Sequence, residues 1–300
     1  MPEVIEIKEY RDFVTRKVKN KKLLKINIIK GRYKKHGAFK KYTKIINELP
    51  IFLRKVESKG KFMFMEFEKD INIGITLGLT GGWFFKKKNS TKYIHGLNGT
   101  RYIESDIEKY RKRALEHLNV EFVFENGTLY FYDQLSFGTI SVFNKNELEK
   151  KLRALGIDIM DEKLEYEDFK KALTKKKNQK MEIGIVLMNQ NDISGIGNYL
   201  RADALWMCKI SPFRKVKDIE ENEWKKLYHN LRILIWGQYN FKKGLKLKII
   251  SKKDKLPINY KRNFFVYQKE KDIYNHPIIK EKLYSGTQIR YIYWVKNYQK

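Results

Sequence analysis

Cysteine is almost absent: Cys208 is the only one in 300 residues. A lone thiol excludes intramolecular disulfides and any zinc site built on paired cysteines. It sits in the apolar stretch ALWMCKI, residues 204–210, and reads as packing rather than as a reactive group. None of the five histidines stands at metal-ligand spacing from another. No metal and no cofactor is therefore assigned, and His117 reads as structural or as a phosphate contact. Long apolar runs are missing too: none approaches the roughly 18 residues a membrane span needs. The N-terminus carries Glu3 and Glu6 instead of a basic region before an apolar stretch. A signal peptide is not expected, and an intracellular setting is, with nuclear, cytoplasmic and viral locations all open. Acids are also scarce, 35 against 64 Lys plus Arg, giving a formal net charge of +29. A compact chain must overcome that self-repulsion, so a polyanionic partner is the simplest account. Codon bias in an AT-rich genome, which favours Lys, Ile, Asn and Tyr, is the competing one. Charge separates neither DNA from RNA nor an enzyme from a ribosomal-type protein.

Hydrophobic residues make up 42% of the chain, enough for packed cores, and the length suits more than one domain. Residues 3–19 show an amphipathic helical pattern, with Val4, Ile7, Tyr10, Val14 and Val18 at three- and four-residue spacing. From about 22 to 143 short β-rich runs take over: KLLKINIIKG, KFMFMEF, INIGITLGL, VEFVFENGTLYFYD and TISVF. Asn126-Gly127 within ENGTLY predicts a tight hairpin turn. Residues 105–117 interrupt them as a helix with Ser105 or Asp106 as N-cap. Residues 144–240 then read as mainly helical, and from about 247 the pattern is β-rich again, with NFFVYQ and TQIRYIYWV as strands. The lysine runs at 86–88 and 175–177 read as solvated faces or loops. The order predicts an α+β protein: an N-terminal β-sandwich domain preceded by a helix, a helical domain, and a small terminal β-hairpin. The expected boundaries are 1–150, 151–246 and 247–300.

Two features carry chemistry. The chain starts Met1-Pro2-Glu3-Val4-Ile5-Glu6. Removal of Met1 would leave the secondary amine of Pro2 at the terminus. An α-amine is far less protonated near neutrality than a lysine, and it can attack an electrophilic carbon to give an iminium. Glu3 beside it is a candidate acid or base. The same start equally suits an ordinary helix N-terminus. The second feature is residues 191–206, NDISGIGNYLRADALW, where Gly195 and Gly197 lead into a helical pattern. A glycine turn feeding a helix N-terminus offers backbone N–H groups to phosphate, and Asn198 can add a side-chain donor. A plain interhelical turn is the alternative.

Taken together, the motifs resemble the formamidopyrimidine-DNA glycosylase / endonuclease VIII (Fpg/Nei) family. The resemblance runs in order over most of the chain: Pro2, Glu3 and Glu6 as P-E-x-x-E; Lys59-Gly60-Lys61-Phe62-Met63 as the lysine before a strand; Leu77-Gly78-Leu79-Thr80-Gly81 as the L-G-M-S-G turn; residues 133–138 as D-x-x-x-F-G; and Gly195-Ile196-Gly197-Asn198-Tyr199-Leu200-Arg201-Ala202 as the helix–two-turns–helix signature. That last stretch, with Ile210-Ser211-Pro212-Phe213, looks most like the endonuclease VIII-like enzymes. The family normally ends in a zinc β-hairpin with an arginine inside it. Here Arg290 and the aromatic filling remain, but Tyr274, Pro277, Val295 and Tyr298 occupy the four cysteine positions. Tetrahedral zinc is not possible with those residues, and the tail resembles the "zincless finger" subgroup.

The resemblance implies a bifunctional DNA glycosylase and abasic-site lyase acting on double-stranded DNA that contains oxidised bases or abasic sites, as a monomer and with no membrane partner. It implies Pro2 as the nucleophile at C1′, Glu3 as the acid that protonates the sugar ring oxygen, and Glu6 as support for the site. Lys61, Asn198 and Arg290 would grip the phosphates around a flipped nucleotide, with Gly197 at the helix start. Leu79 would be the apolar wedge filling the vacated stack. Bland readings exist for each: Lys61 as a strand-edge lysine, Leu79 as core, Arg290 as a surface ion-pair partner. The sequence departs from the family at Leu135 and Ser136, where arginines are common, which implies weak opposite-base selectivity. The endonuclease VIII-like features imply a preference for oxidised pyrimidines and hydantoins, cleaved by β,δ-elimination. Two other readings compete, a non-catalytic nucleic-acid-binding protein of ribosomal type and an inactive relative that only binds abasic DNA.

Overall fold

The apolar spacing after Pro2 folds as expected into α1 (Val4–Val18), whose buried face includes Ile7, Tyr10, Val14 and Val18. A computed structural model describes residues 2–97, 104–243, 264–285 and 288–300. The chain divides into two compact units, Met1–Ala154 and Leu155–Lys300. The terminal hairpin belongs to the second, and the expected 246/247 boundary lies outside the described residues.

In the first unit α1 is followed by β1 (Lys22–Ile28), α2 (Gly31–Lys35), α3 (Tyr42–Ile46), β2 (Ile51–Lys59), β3 (Phe62–Phe67), β4 (Asn72–Thr76), β5 (Gly82–Lys87) and β6 (Tyr93–His95). Then come α4 (Glu104–Leu115), β7 (Leu118–Phe124), β8 (Gly127–Tyr132), β9 (Thr139–Phe143) and α5 (Lys145–Ala154). The nine strands form one antiparallel ladder in the order β6-β5-β8-β7-β1-β2-β3-β4-β9. Its two halves are joined in the ladder where Lys22 and Leu23 pair with Phe52 and Ile51, and both strands slip register just beyond. Such bulges turn a strand. Inward residues of both halves, among them Ile26, Val120 and Phe122 from one and Val56, Met65 and Ile73 from the other, share a single core with α1. The expected hairpin is present, but its turn is Glu125–Asn126, and Gly127 already opens β8.

A polar cluster is buried beside α1. The Tyr132 hydroxyl is 2.8 Å from both Tyr10 Oη and His95 Nε2, and 3.0 Å from Tyr110 Oη. Burial pushes the His95 imidazole down to about 4, against a weaker upward pull from its contact with the Leu97 backbone.

The second unit holds β10 (Ile157–Asp158), α6 (Tyr166–Leu173), α7 (Ile183–Val186), β11 (Ile193–Ser194), α8 (Asn198–Cys208), α9 (Glu221–Lys243) and the hairpin β12 (Ile279–Ser285) and β13 (Gln288–Trp294). The lysine run at 175–177 is not merely solvated: Lys175 and Lys177 reach the buried Asp192 carboxylate at 2.7 and 3.1 Å. NFFVYQ is not a strand; its described part is a turn. Phe265 and Val266 are buried, and Asp203 Oδ1 accepts the Val266 N–H at 3.0 Å, so a side chain replaces a neighbouring strand.

The tail is held by Asp272. Its carboxylate accepts from the Tyr274 and His276 N–H groups at 2.9 Å, from Trp206 Nε1 at 3.0 Å and from His276 Nδ1 at 3.1 Å. Burial alone would raise this carboxyl, but the bonds from His276, Trp206 and Tyr274 outweigh it and leave it below the usual range. Tyr274 and Tyr298 pack their rings within 6 Å of Trp206. These residues do not suit zinc; they suit an aromatic stack. Arg201 ties the tail to the helices. Fully buried, it donates from Nη1 to Gly184 O at 2.8 Å and from Nη2 to Tyr291 O at 2.7 Å.

Two expected outcomes follow from these buried groups. His95 titrates near 6.5 when unfolded and about 4 when folded, so protonation favours the unfolded chain. Its contribution is complete above pH 6.5 and is lost as the pH falls toward 4, at most about 3 kcal/mol. Thermal unfolding of His95→Asn should therefore show a shallower decline than wild type across that window. Arg201→Met strips the donor from the carbonyls of Gly184 and Tyr291 and should lower stability by about 2–4 kcal/mol, read as a shifted urea midpoint.

Candidate active site and nucleic-acid contacts

Pro2 precedes the N-cap of α1; Met1 lies outside the described residues. Glu3 is the N-cap, in extended conformation, and Glu6 is the third helical residue. The two close a reciprocal capping box in which the Glu3 N–H donates to Glu6 Oε2 at 2.8 Å. Both side chains are buried, Glu3 completely. Val4, Ile5 and Ile7 are buried around them and seat the first turn. The result is a half-buried proline adjoining two carboxylates withdrawn from water. Helix N-terminal dipoles favour negative charge at this position.

Lys61 is at the tip of the β2–β3 hairpin. Lys59 pairs with Phe62, leaving a two-residue turn in which Gly60 takes φ +55°. Such a turn needs a residue that tolerates positive φ at this point, so glycine before the lysine is a backbone requirement. α1 packs on β2 and touches β3, the strands that carry this hairpin.

Leu79 lies on the β4–β5 loop and is exposed, which rules out the core reading. Gly78 has φ +57°, and a Cβ there would come within 2.6 Å of Gly138 N. The loop is thus pressed on residues 133–138. Asp133 fastens the two: it accepts from Thr80 Oγ1 at 2.5 Å and from the Gly138 N–H at 2.6 Å, while the Leu135 N–H donates to Thr80 Oγ1 at 3.0 Å. Leu135 and Phe137 are also exposed, 51% and 59%, and Ser136 between them has φ +56°. Three apolar side chains therefore project from two loops locked by one aspartate. The motif at 133–138 was visible in the sequence; the exposure of its Phe137 beside Leu79 was not, because nothing in local pattern says which apolar residues stay out of a core.

In the second unit Gly195 takes φ +113° and Gly197 is the N-cap of α8. Gln190 clamps this turn, accepting from Gly195 N at 3.0 Å and donating to Ile196 O at 2.9 Å. Asn198 opens the helix, and its Oδ1 accepts from Arg201 Nη2 at 3.2 Å. That fixes the amide so that its two N–H bonds are the remaining donors. Arg290 is exposed on β13, opposite Leu283. The same Arg201 Nη2 that holds Asn198 also holds the carbonyl of Tyr291, next to Arg290. One buried guanidinium therefore holds the Asn198 amide and the backbone next to Arg290. Sequence reading placed Arg201 in a motif but gave it no role, since nothing on the sequence marks an arginine as buried.

The formamidopyrimidine-DNA glycosylase N-terminal domain matches residues 1–140, and the formamidopyrimidine-DNA glycosylase H2TH domain matches residues 155–243. The chain is 24% identical over 272 residues to a formamidopyrimidine-DNA glycosylase of Wolbachia pipientis wMel, covering 90% of this chain and 89% of that one. It is 26% identical over 234 residues to the enzyme of the same name from Ligilactobacillus salivarius, covering 77% and 75%. Lactococcus lactis Fpg, solved with DNA containing an abasic site, superposes with a TM-score of 0.72 at 18% identity over 100% of both chains. MutM, solved with DNA containing carbocyclic 8-oxo-G, gives 0.73 at 18% identity over 99% of each. At that identity the structural likeness is one of fold. The two domain matches lie in the two compact units and between them take in most of the sequence: the chain belongs to the formamidopyrimidine-DNA glycosylase (Fpg/Nei) family.

Proposed function

We propose that the protein is a DNA glycosylase of base excision repair that also nicks the strand as an abasic-site lyase. The observation that carries this reading is the buried Glu3–Glu6 capping box beside Pro2, an arrangement that DNA binding alone does not require. With Met1 removed, the Pro2 nitrogen attacks C1′ of a damaged nucleotide. A bond forms between N and C1′ as the C1′–base bond breaks, and the base leaves with the proton that the amine gives up. Glu3, in its protonated form, then protonates the ring oxygen as the C1′–O4′ bond breaks, which opens the sugar to an iminium. The resulting iminium acidifies the C2′ hydrogens, and loss of a proton expels the 3′ phosphate, then the 5′ phosphate (β- and δ-elimination). Glu6 holds the Glu3 backbone in place throughout. The target nucleotide must first leave the stack. Lys61, Asn198 and Arg290 grip its flanking phosphates, and Leu79 fills the gap. In this reading residues 1–150 carry the chemistry, 151–246 the phosphate contacts of the helix start, and 247–300 the finger that supplies Arg290.

The endonuclease VIII-like stretches at 196–202 and 210–213, with Leu135 and Ser136 in place of arginines, support a preference for oxidised pyrimidines and hydantoins. Excision of thymine glycol should then outpace that of 8-oxoguanine opposite cytosine in single-turnover assays; the reverse order would place the chain with the 8-oxoguanine enzymes instead.

Borohydride added to protein lacking Met1 and a duplex bearing thymine glycol should trap a covalent adduct. Pro2→Gly should abolish the adduct, and Glu3→Gln should abolish base release. No adduct on this lesion or on a plain abasic site, from protein shown by mass to start at Pro2, would mean a non-catalytic DNA-binding protein.

A further inference from the structure

Between Asp12 and Glu48 the chain contains no carboxylate at all, yet carries 13 Lys and Arg. At the centre of this stretch α2 turns a basic corner onto the outside of the first unit. Arg32, Lys34, Lys35 and His36 are exposed, while Tyr33 is buried and anchors the corner. The Ile140 N–H donates to the Tyr33 hydroxyl at 2.6 Å, and the Tyr33 ring meets Phe39 edge-on at 5.6 Å. At Gly31, φ +71°, a Cβ would fall 1.8 Å from Asn119 Nδ2. The cations are thus mounted on a fixed backbone. Arg32 Nη1 reaches the carbonyls of Ser136 and Gly138 at 3.4 and 3.5 Å. That places a cation on the loop carrying Leu135 and Phe137, a loop with none of its own between residues 133 and 138. Among the described residues, no ion pair joins Arg32, Lys34 or Lys35 to a carboxylate.

We infer that this corner is a DNA-backbone contact surface of the first unit, gripping phosphates beside the apolar tips of Leu79, Leu135 and Phe137. Cations without carboxylate partners on a rigid corner suit a regularly spaced polyanion. Apolar tips alongside them suit the base stack. Arg32 supplies the charge that the 133–138 loop lacks. The inference rests on the DNA reading above and adds to it a contact surface separate from Lys61, Asn198 and Arg290.

The test is the salt dependence of binding to an undamaged duplex, which needs no catalysis. Removing one phosphate-binding cation should lower the slope of log K against log salt by about 0.9. The triple variant Arg32→Ala, Lys34→Ala, Lys35→Ala should therefore flatten the slope by about 2 to 3. Its thermal midpoint should stay near wild type, since all three side chains are exposed. The matched variant Lys86→Ala, Lys87→Ala, Lys88→Ala removes the same charge elsewhere on the unit and should change the slope by less than about 1. Equal slopes for wild type and the first triple variant, or equal flattening by both triples, would overturn the assignment. So would undiminished duplex binding by the first triple together with abolished binding to phosphatidylserine vesicles. Wild-type protein that binds with a steep slope but gives no borohydride adduct would defeat the catalytic reading and leave this surface standing.

Discussion

Two carboxylates are taken out of water at the first turn of the chain, and the start of the first unit depends on how that is made tolerable. An unpaired buried carboxylate costs several kcal/mol and usually takes up a proton instead. Glu3 and Glu6 offset part of that cost by accepting each other's backbone N–H across the helix start. The helix dipole adds a favourable field. The arrangement works only if the helix begins at Val4 and is pressed into the core from its first residue, which Val4, Ile5 and Ile7 ensure. The position of Pro2 is therefore fixed by the packing of α1 between strands, and the chemistry proposed for it inherits the rigidity of the sheet.

The second constraint is the charge. A formal +29 on 300 residues opposes compaction. The fold answers by using few cations internally and those few intensively. Lys175 and Lys177 neutralise buried Asp192. Buried Arg201 directs its donors to two carbonyls and to Asn198. Buried Arg232 reaches the carbonyls of Ile159, Asp161 and Glu162. Along the sequence the excess is dense between Asp12 and Glu48, where Arg32, Lys34 and Lys35 are exposed. A surface so charged repels itself unless a polyanion lies against it, so the same composition that strains the free protein favours its complex.

Much of this was legible from sequence because it follows from periodicity and turn chemistry. Helix α1, strands β1, β3, β4 and β7 to β9, and the glycine turn before α8 lie within a few residues of where pattern predicts them. The failures have particular causes. β2 is hidden because the register slip between Leu53 and Lys55 breaks its alternation. NFFVYQ has strand composition, but Asp203 takes its N–H bond, a contact across 63 residues that no local window contains. Lys175 and Lys177 looked like solvated charge because the aspartate they serve is buried by the fold. Arg201 stood in plain view within the motif, yet its role depends on β13 arriving 90 residues later. Sequence pattern thus located the groups proposed for chemistry; it did not locate the groups that hold them.

The tail is built by such holding groups alone among the described residues. A zinc hairpin is formed by its metal, so its folding is tied to thiolates, and hence to pH and oxidation. Here Asp272 gathers four donors from Trp206, Tyr274 and His276, and the rings of Tyr274 and Tyr298 close on Trp206. The terminus is then stitched back by hydrogen bonds, with the Ser211 N–H on Lys300 O at 2.8 Å and Gln299 Nε2 on Ile210 O at 2.9 Å. Cys208 is buried, and burial pushes its thiol up to about 12, so the only sulfhydryl stays protonated and unreactive. A scaffold that presents Arg290 through carboxylate bonds and aromatic packing is independent of thiolate chemistry. For a protein proposed to work where DNA is being oxidised, the unit that carries the phosphate grip is thereby insulated from the oxidant itself.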